Sequence, residues 1–596
     1  MLKKSDFSSI DQRRLLIKAA RGELPADVVI RGVQWLDVFS GKFRTGDVAW
    51  KDGVIIGVGE NYDGNSVIDG TGKYLVPGFI DAHVHIESSL MTPARFEEAV
   101  LPCGTTAVIW DPHEIANVKG KAGIEWALAA SEDLLLDVFV MVPSCVPSTS
   151  PAAGLETSGA SLEAGDIALF RHHPRVLGLA EMMNFPGLLS GEGDIMTKLS
   201  DFSAKKRDGH CPGLRGKDLN AYGVAGIHSC HESTTADEAE EKMSKGIHVL
   251  IREGSCTKDA HALLPLLNAY TSPVLSLCSD DRNPADIAEG GHINCIIDMA
   301  LARGAKPEDI FRAASYATAK TYGLEDRGAV APGYKADVVL VSPKGMASGQ
   351  TDWRHGVAIT QVFKSGEAVT KSDLQAISRQ KKPHFDGVNL NLAPVTAADF
   401  RLPASSNQSC VDARVIGIIT HQILTNELIC QLPVKGGSIQ PDLSQDILKI
   451  AVLERHHGSG GRAVGFAKGM GLKSGAIATS INHDSHNVIT IGSSDELIAA
   501  AVNELIRIDG GIVVVHADGR KEALPLPIGG LMTDADPDTV TAILQRLKAL
   551  TKDAGCTLHE PFLQLSFLAL PVIPTLKITD KGLVKVMESK LVSLTV

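Results

Sequence analysis

Two histidines set two residues apart, His83 and His85, close a short apolar run in Val76-Pro-Gly-Phe-Ile-Asp-Ala-His-Val-His-Ile-Glu-Ser-Ser. Alternate side chains of a strand share a face, so this pair can grip one metal ion while Val84 packs behind it. Two histidines can also simply punctuate a strand end. Here Pro77-Gly78 precede the run and Glu87-Ser88-Ser89 follow it, which sets the pair where a buried strand emerges into a loop. Barrel enzymes keep their active residues at that address.

Further ligand types recur downstream, each at the end of a candidate strand: Trp110-Asp-Pro-His113-Glu114, Leu179-Ala-Glu181-Met-Met-Asn, Gly209-His210-Cys-Pro, Ser229-Cys-His231-Glu232 and Leu277-Cys-Ser-Asp280-Asp281. A solvated loop explains any one of them and explains the series poorly. His83, His85, Glu181, His210, His231 and Asp280 are therefore expected to converge on metal.

The elements that must carry these residues alternate strand and helix from about 76 to 325, the pattern of a parallel α/β sheet. Eight strands can be read: Leu75 to His85, Thr105 to Trp110, Asp137 to Val142, Val176 to Glu181, a weak one ending at His210, Ala225 to His231, His248 to Arg252 and Val274 to Ser279. Helical stretches such as Gly120 to Leu136 and Thr235 to Lys245 separate them. Eight strands in about 250 residues is the count of a (β/α)8 barrel.

Before the barrel, residues 1–25 read as helical and polar, and 26–75 as the first part of a small β domain. Glycine-punctuated strands return at 326–383, which suggests that the two fragments fold together around the insertion. Residues 384–409, rich in Pro, Asn and Ser, read as a linker, and 410–596 as a further α/β domain. Its Gly458-Ser-Gly-Gly-Arg and Gly469-Met-Gly lack the Gly-Lys-Ser/Thr ending of a phosphate loop, so tight turns explain them better. His483-Asp-Ser-His486-Asn is denser in polar chemistry than a surface loop requires; it either approaches the active site or belongs to a domain interface.

Composition narrows the function classes. The chain has 596 residues, 44% hydrophobic and 21% charged, an ordinary globular mixture with room for several domains. A formal charge of -12 argues against nucleic acid as the main partner. Its ten cysteines are scattered without a C-x-x-C pair, which fits a reducing cytoplasm. No apolar stretch is long and uninterrupted enough for a membrane span or a signal core.

The chain resembles the amidohydrolase superfamily over about 30–380, and within it the bacterial adenine deaminase family. The closer resemblance rests on Phe79-Ile-Asp-Ala-His-Val-His-Ile-Glu-Ser-Ser-Leu-Met-Thr-Pro, Asp111-Pro-His-Glu-Ile-Ala-Asn-Val, Glu181-Met-Met-Asn-Phe-Pro-Gly, Gly209-His-Cys-Pro-Gly-Leu-Arg-Gly-Lys-Asp-Leu-Asn-Ala-Tyr and Ser279-Asp-Asp-Arg-Asn-Pro. It continues through Arg455-His-His-Gly-Ser-Gly-Gly-Arg and Asn482-His-Asp-Ser-His-Asn. Many amidohydrolases bridge two metals with a carbamylated lysine on the fourth strand, whereas this chain offers Glu181 there.

The resemblance implies two divalent ions, manganese or iron before zinc, a homo-oligomer such as a dimer, and adenine as substrate. It implies that His83, His85 and Glu181 hold the first ion and that Glu181, His210 and His231 hold the second. Asp280, beside the bridging water, would move a proton to the departing amine, with Asp281 its rival at the same strand end. Protonating the purine ring needs another acid, for which His113, Glu114 and Glu232 are candidates; Glu232 would point away if its strand continued regularly past His231. Two other functions share the scaffold: hydrolysis of a cyclic amide, and a catalytically silent relative, which predicts lost ligands where none is lost.

Overall fold

A computed structural model describes residues 9–345, 352–380, 385, 388–404, 408–420 and 422–596. The expected N-terminal helix runs from Ile10 to Ala20, capped by Ser9, whose side chain accepts from the Gln12 N–H. Residues 21–25, also expected as helical, instead form the turn into the first strand, and 1–8 lie outside the described residues.

The barrel strands are β1 (Phe79–Val84), β2 (Thr105–Trp110), β3 (Asp137–Val142), β4 (Val176–Met182), β5 (Lys206–Gly209), β6 (Ser229–Cys230), β7 (His248–Arg252) and β8 (Leu275–Cys278). Each pairs in parallel with the next. Closure comes just beyond β8, where the Asp280 N–H donates to His83 O at 3.0 Å and the His85 N–H donates to Asp280 O at 3.3 Å. Ile80, Ala107, Ile109, Met141, Ala180, Leu250 and Cys278, from six different strands, pack into one cluster inside the barrel, with Tyr322 and Leu324 beside them. The expected (β/α)8 architecture is present. β5 and β6 are shorter than the sequence suggests, because the polar Lys205-Lys-Arg-Asp stretch and Gly226, held at φ +88°, leave little to extend.

The run expected as a single strand from Leu75 to His85 is two. Tyr74–Pro77 pairs antiparallel with Val338–Pro343 in the small sheet, and β1 begins only after Gly78. A Cβ at Gly78 would stand 2.2 Å from Thr106 Oγ1, so only glycine lets the chain pass from one sheet to the other. Strands from 26–77 and from 338–368 share this eight-stranded sheet.

The stretch expected as a linker is, in its described part, built into the C-terminal unit. The Asn389 and Leu390 N–H groups donate to Asp509, Leu390, Val395 and Phe400 pack against Ala451, Val488 and Ile498, and Leu402–Pro403 pairs with Ser438–Ile439. A ten-stranded sheet continues from there, with the helices Asp495–Arg507 and Pro537–Asp553 and a small three-stranded sheet at 576–592. The glycine loop at 458–461 wraps its own Glu454, which accepts from Ser459 N–H and Oγ and from His457 N–H. This unit covers the barrel mouth: the Thr92 N–H donates to Thr533 O, the Thr533 N–H donates to Leu90 O, and Asn283 Nδ2 donates to Glu560 Oε2 at 2.8 Å.

Candidate active site

Every residue expected to bind metal is buried at the C-terminal ends of the barrel strands. His83, His85, Glu181, His210, His231 and Asp280 range from 1 to 7% exposed. His83 Nε2 and His85 Nε2 stand 3.1 Å apart. β1 slips its register against β2 between Asp81 and Val84, the stretch that carries His83, and the strand ends there. His85 Nδ1 donates to Asp111 O at 3.0 Å, which leaves Nε2 as a lone pair facing inwards.

Glu181, near the end of β4, divides its carboxylate between two histidine pairs. Oε1 lies 3.4 Å from His85 Nε2 and 3.8 Å from His83 Nε2, while Oε2 lies 2.6 Å from His210 Nδ1 and 3.2 Å from His231 Nε2. Asp280 Oδ1 faces the first pair, 3.2 Å from His85 Nε2 and 3.5 Å from His83 Nε2. Asp280 itself adopts the left-handed region, φ +53°, a conformation that tends to persist where function requires it.

Three neighbours decide the charge balance. Arg252, ending β7, is fully buried and donates through Nη1 and Nη2 to Glu232, through Nη1 to Asp280 Oδ2 at 3.0 Å and through Nε to Asp259 Oδ2 at 2.9 Å. Burial pushes the Glu232 carboxyl up, but Arg252, His210 and His231 together hold it below its usual range. Burial likewise opposes ionisation of Glu181, yet His210 and His231 hold it well below. Asp280 is held low against burial by His83, His85 and Arg252.

This arrangement fits divalent cations. Glu232 and Asp280 share one fixed cation, Arg252, with Asp259, and Glu181 has none among the described residues, so further positive charge is required in a buried site. Two imidazole nitrogens only 3.1 Å apart, both turned towards carboxylate oxygens, form a donor set for an ion rather than a pair of protonated rings.

Other expectations need correction. Glu232 does not point away: β6 stops at Cys230, so the alternation ends and both His231 and Glu232 face the site. His113 stands over the cluster, with Nδ1 3.1 Å from Asp111 Oδ2 and 3.4 Å from Glu181 Oε1. Asp281 is also buried, but its Oδ1 accepts from Ser88 Oγ at 2.5 Å and it contacts none of the four histidines. Arg252 was missed by sequence reasoning, which placed it at the end of its strand without a role. Of the two readings of 483–487, both hold in part: His483, Asp484 and Phe567 from the C-terminal unit line the same cavity as Glu181 and Asp280.

Among the described residues no helix is long and apolar enough to cross a membrane. A model of the Amidohydrolase family matches residues 74–369, and a model of the adenine deaminase C-terminal domain matches residues 422–590. Adenine deaminase of Methylobacterium nodulans is 45% identical over 575 residues, covering 96% of this chain and 98% of the relative. Adenine deaminase of Brucella suis is 46% identical over 574 residues, covering 96% of this chain and 95% of the relative. Adenine deaminase 1 of Rhizobium meliloti is 45% identical over 574 residues, with 96% and 98% covered. With relatives of that identity along nearly the whole chain, and with a metal-ligand set at the strand ends of an eight-stranded barrel, this chain belongs to the adenine deaminase family of the amidohydrolases.

Proposed function

We propose that this protein hydrolyses adenine to hypoxanthine and ammonia at the Glu181 cluster. The observation that carries the reading is the split carboxylate of Glu181, one oxygen towards His83 and His85 and the other towards His210 and His231. Such a carboxylate supplies the shared negative charge of a pair of divalent ions without a carbamylated lysine. Imidazole and carboxylate donors suit manganese, iron or zinc, and family resemblance favours the first two. Bound ions of this kind lower the pKa of water and so supply the nucleophile near neutral pH.

The chain's own groups manage the protons. Asp280 is kept as a carboxylate, with Oδ2 anchored on Arg252 and Oδ1 turned to the histidines, so it can accept a proton from the attacking water and hand it to the amine on C6. Glu232, committed to Arg252, is unsuited to donate a proton to the ring. Of the two remaining candidates Glu114 is engaged by His483 and His486, so His113, which presents Nδ1 to the Glu181 side of the cavity, is the better placed. Phe567 and Leu570 supply apolar wall from the C-terminal unit, which a planar purine needs and a bare metal cluster does not.

Ammonia release from adenine, measured beside ring opening of hydantoin and dihydroorotate, tests the reading. Adenine turnover with neither cyclic amide opened is expected; turnover of a cyclic amide alone would assign the scaffold to the other chemistry.

A further inference from the structure

Beside the Glu181 cluster lies a second convergence of donors, joined to it through His113. We propose that His113, Glu114, His483 and Asp484 form an additional divalent-cation site, joining the barrel to the C-terminal unit. His113 and Glu114 open the short helix His113–Lys119 after β2, and His483 and Asp484 lie in the loop following Gly475–Thr479. All four are buried, 1 to 3% exposed.

The spacing is that of a coordination shell. His113 Nε2 lies 3.5 Å from Glu114 Oε1 and 3.8 Å from Asp484 Oδ1, and His483 Nδ1 lies 2.8 Å from Glu114 Oε1 and 3.6 Å from Asp484 Oδ1. A tetrahedral ion with bonds of about 2.1 Å separates its ligands by about 3.4 Å. His113, Glu114 and Asp484 each direct one donor atom to within 4.8 Å of the others.

Hydrogen bonding leaves part of this group unsatisfied. Of the four donor atoms Glu114 Oε1 is buried without an aligned hydrogen bond among the described residues, as are Glu114 Oε2, Asp484 Oδ2 and His486 Nε2 beside it, although His483 Nδ1 is only 2.8 Å from Glu114 Oε1 and His486 Nε2 packs against Oε2. Close approach without alignment is what donors directed at a common ion show. His113 turns Nε2 towards two carboxylates, Glu114 Oε1 and Asp484 Oδ1, so an ion held by the neutral ring would sit between them. Two imidazole and two carboxylate donors suit zinc, manganese or iron. His113 would then touch both centres, holding one ion through Nε2 and reaching Glu181 through Nδ1.

Holoenzyme loaded with Mn(II) and crystallised separates the possibilities through anomalous difference maps, with metal content measured on the same preparation. Three ions per chain are expected, one surrounded by His113, Glu114, His483 and Asp484, and Asp484→Asn should lose that peak while keeping those at Glu181. Two ions, both at Glu181, would overturn the proposal. An ion at the His113 group with none at Glu181 would uphold it and would instead contradict the dinuclear reading, so the two fail separately. The wild-type map alone decides the matter if the variant does not fold.

Discussion

Arg252 donates from Nη1 to Asp280 Oδ2 at 3.0 Å, and that contact turns the other oxygen of Asp280 towards His83 and His85. The same arginine therefore selects between the two adjacent aspartates. Asp280 is held ionised at the centre, while Asp281 is spent on Ser88.

Asp280→Asn preserves shape and removes the base. Turnover should fall by about 10² to 10⁴, the range for a general acid-base group, with metal largely retained. Asp281→Asn should cost far less, since an amide oxygen can still accept from Ser88. Steady-state kinetics and metal analysis on both variants check this; a dead Asp281→Asn beside an active Asp280→Asn would exchange the two roles.

Arg252→Met should be both unstable and slow. Removing the guanidinium leaves Glu232, Asp259 and Asp280 without their shared cation inside the protein, and stranding buried charge typically costs about 3–5 kcal/mol. Arg252→Lys should recover only part of this, because an ammonium cannot reproduce the fork that spans three carboxylates. Denaturant unfolding of the three proteins gives the comparison.

Glu97 offers a pH test away from the metal site. Burial lifts its carboxyl to about 7, against opposing hydrogen bonds from the backbone of Leu136 and Leu135. A folded-state value above the unfolded one means that the folded protein holds the extra proton, so this contribution is complete below about pH 4.5 and lost as pH rises to about 7. The loss should reach about 3 kcal/mol across that window. Glu97→Gln should remove this slope, measured as the difference in unfolding free energy between pH 5 and pH 7.5; an unchanged slope would locate the titration elsewhere.

Glu181→Gln should lower occupancy on both sides of the carboxylate, whereas His83→Asn should chiefly weaken the side it shares with His85. An amide cannot supply a negative charge to two cations. Metal content of the two variants, beside wild type, shows the contrast; full occupancy in Glu181→Gln would remove the bridging role.

Much of the site was legible because its parts obey one rule, that a parallel barrel brings the ends of its strands together. His83, His85, Glu181, His231 and Asp280 each end a readable strand, while His210 follows the polar Lys205-Lys-Arg-Asp-Gly and is placed by the strand count. Glu232 would point away only if alternation continued past His231, and β6 already stops at Cys230 after two residues. Arg252 reads in sequence as an ordinary charged strand end, since its three carboxylate partners lie 7 to 28 positions away. The arrival of His483, Asp484 and Phe567 depends on how a separate sheet docks over the barrel, which periodicity does not encode. The segment at 384–409 has a linker's composition, yet Leu390, Val395 and Phe400 sit in a core that only tertiary packing supplies.

Metal-dependent hydrolysis of adenine is tested most directly by stripping the protein with a chelator, verifying the metal content, and measuring ammonia release before and after adding Mn(II) or Fe(II). Turnover absent from the stripped protein and restored by either ion is the predicted result. Full turnover in a verified metal-free sample would contradict the assignment of the Glu181 cluster as the centre of the reaction.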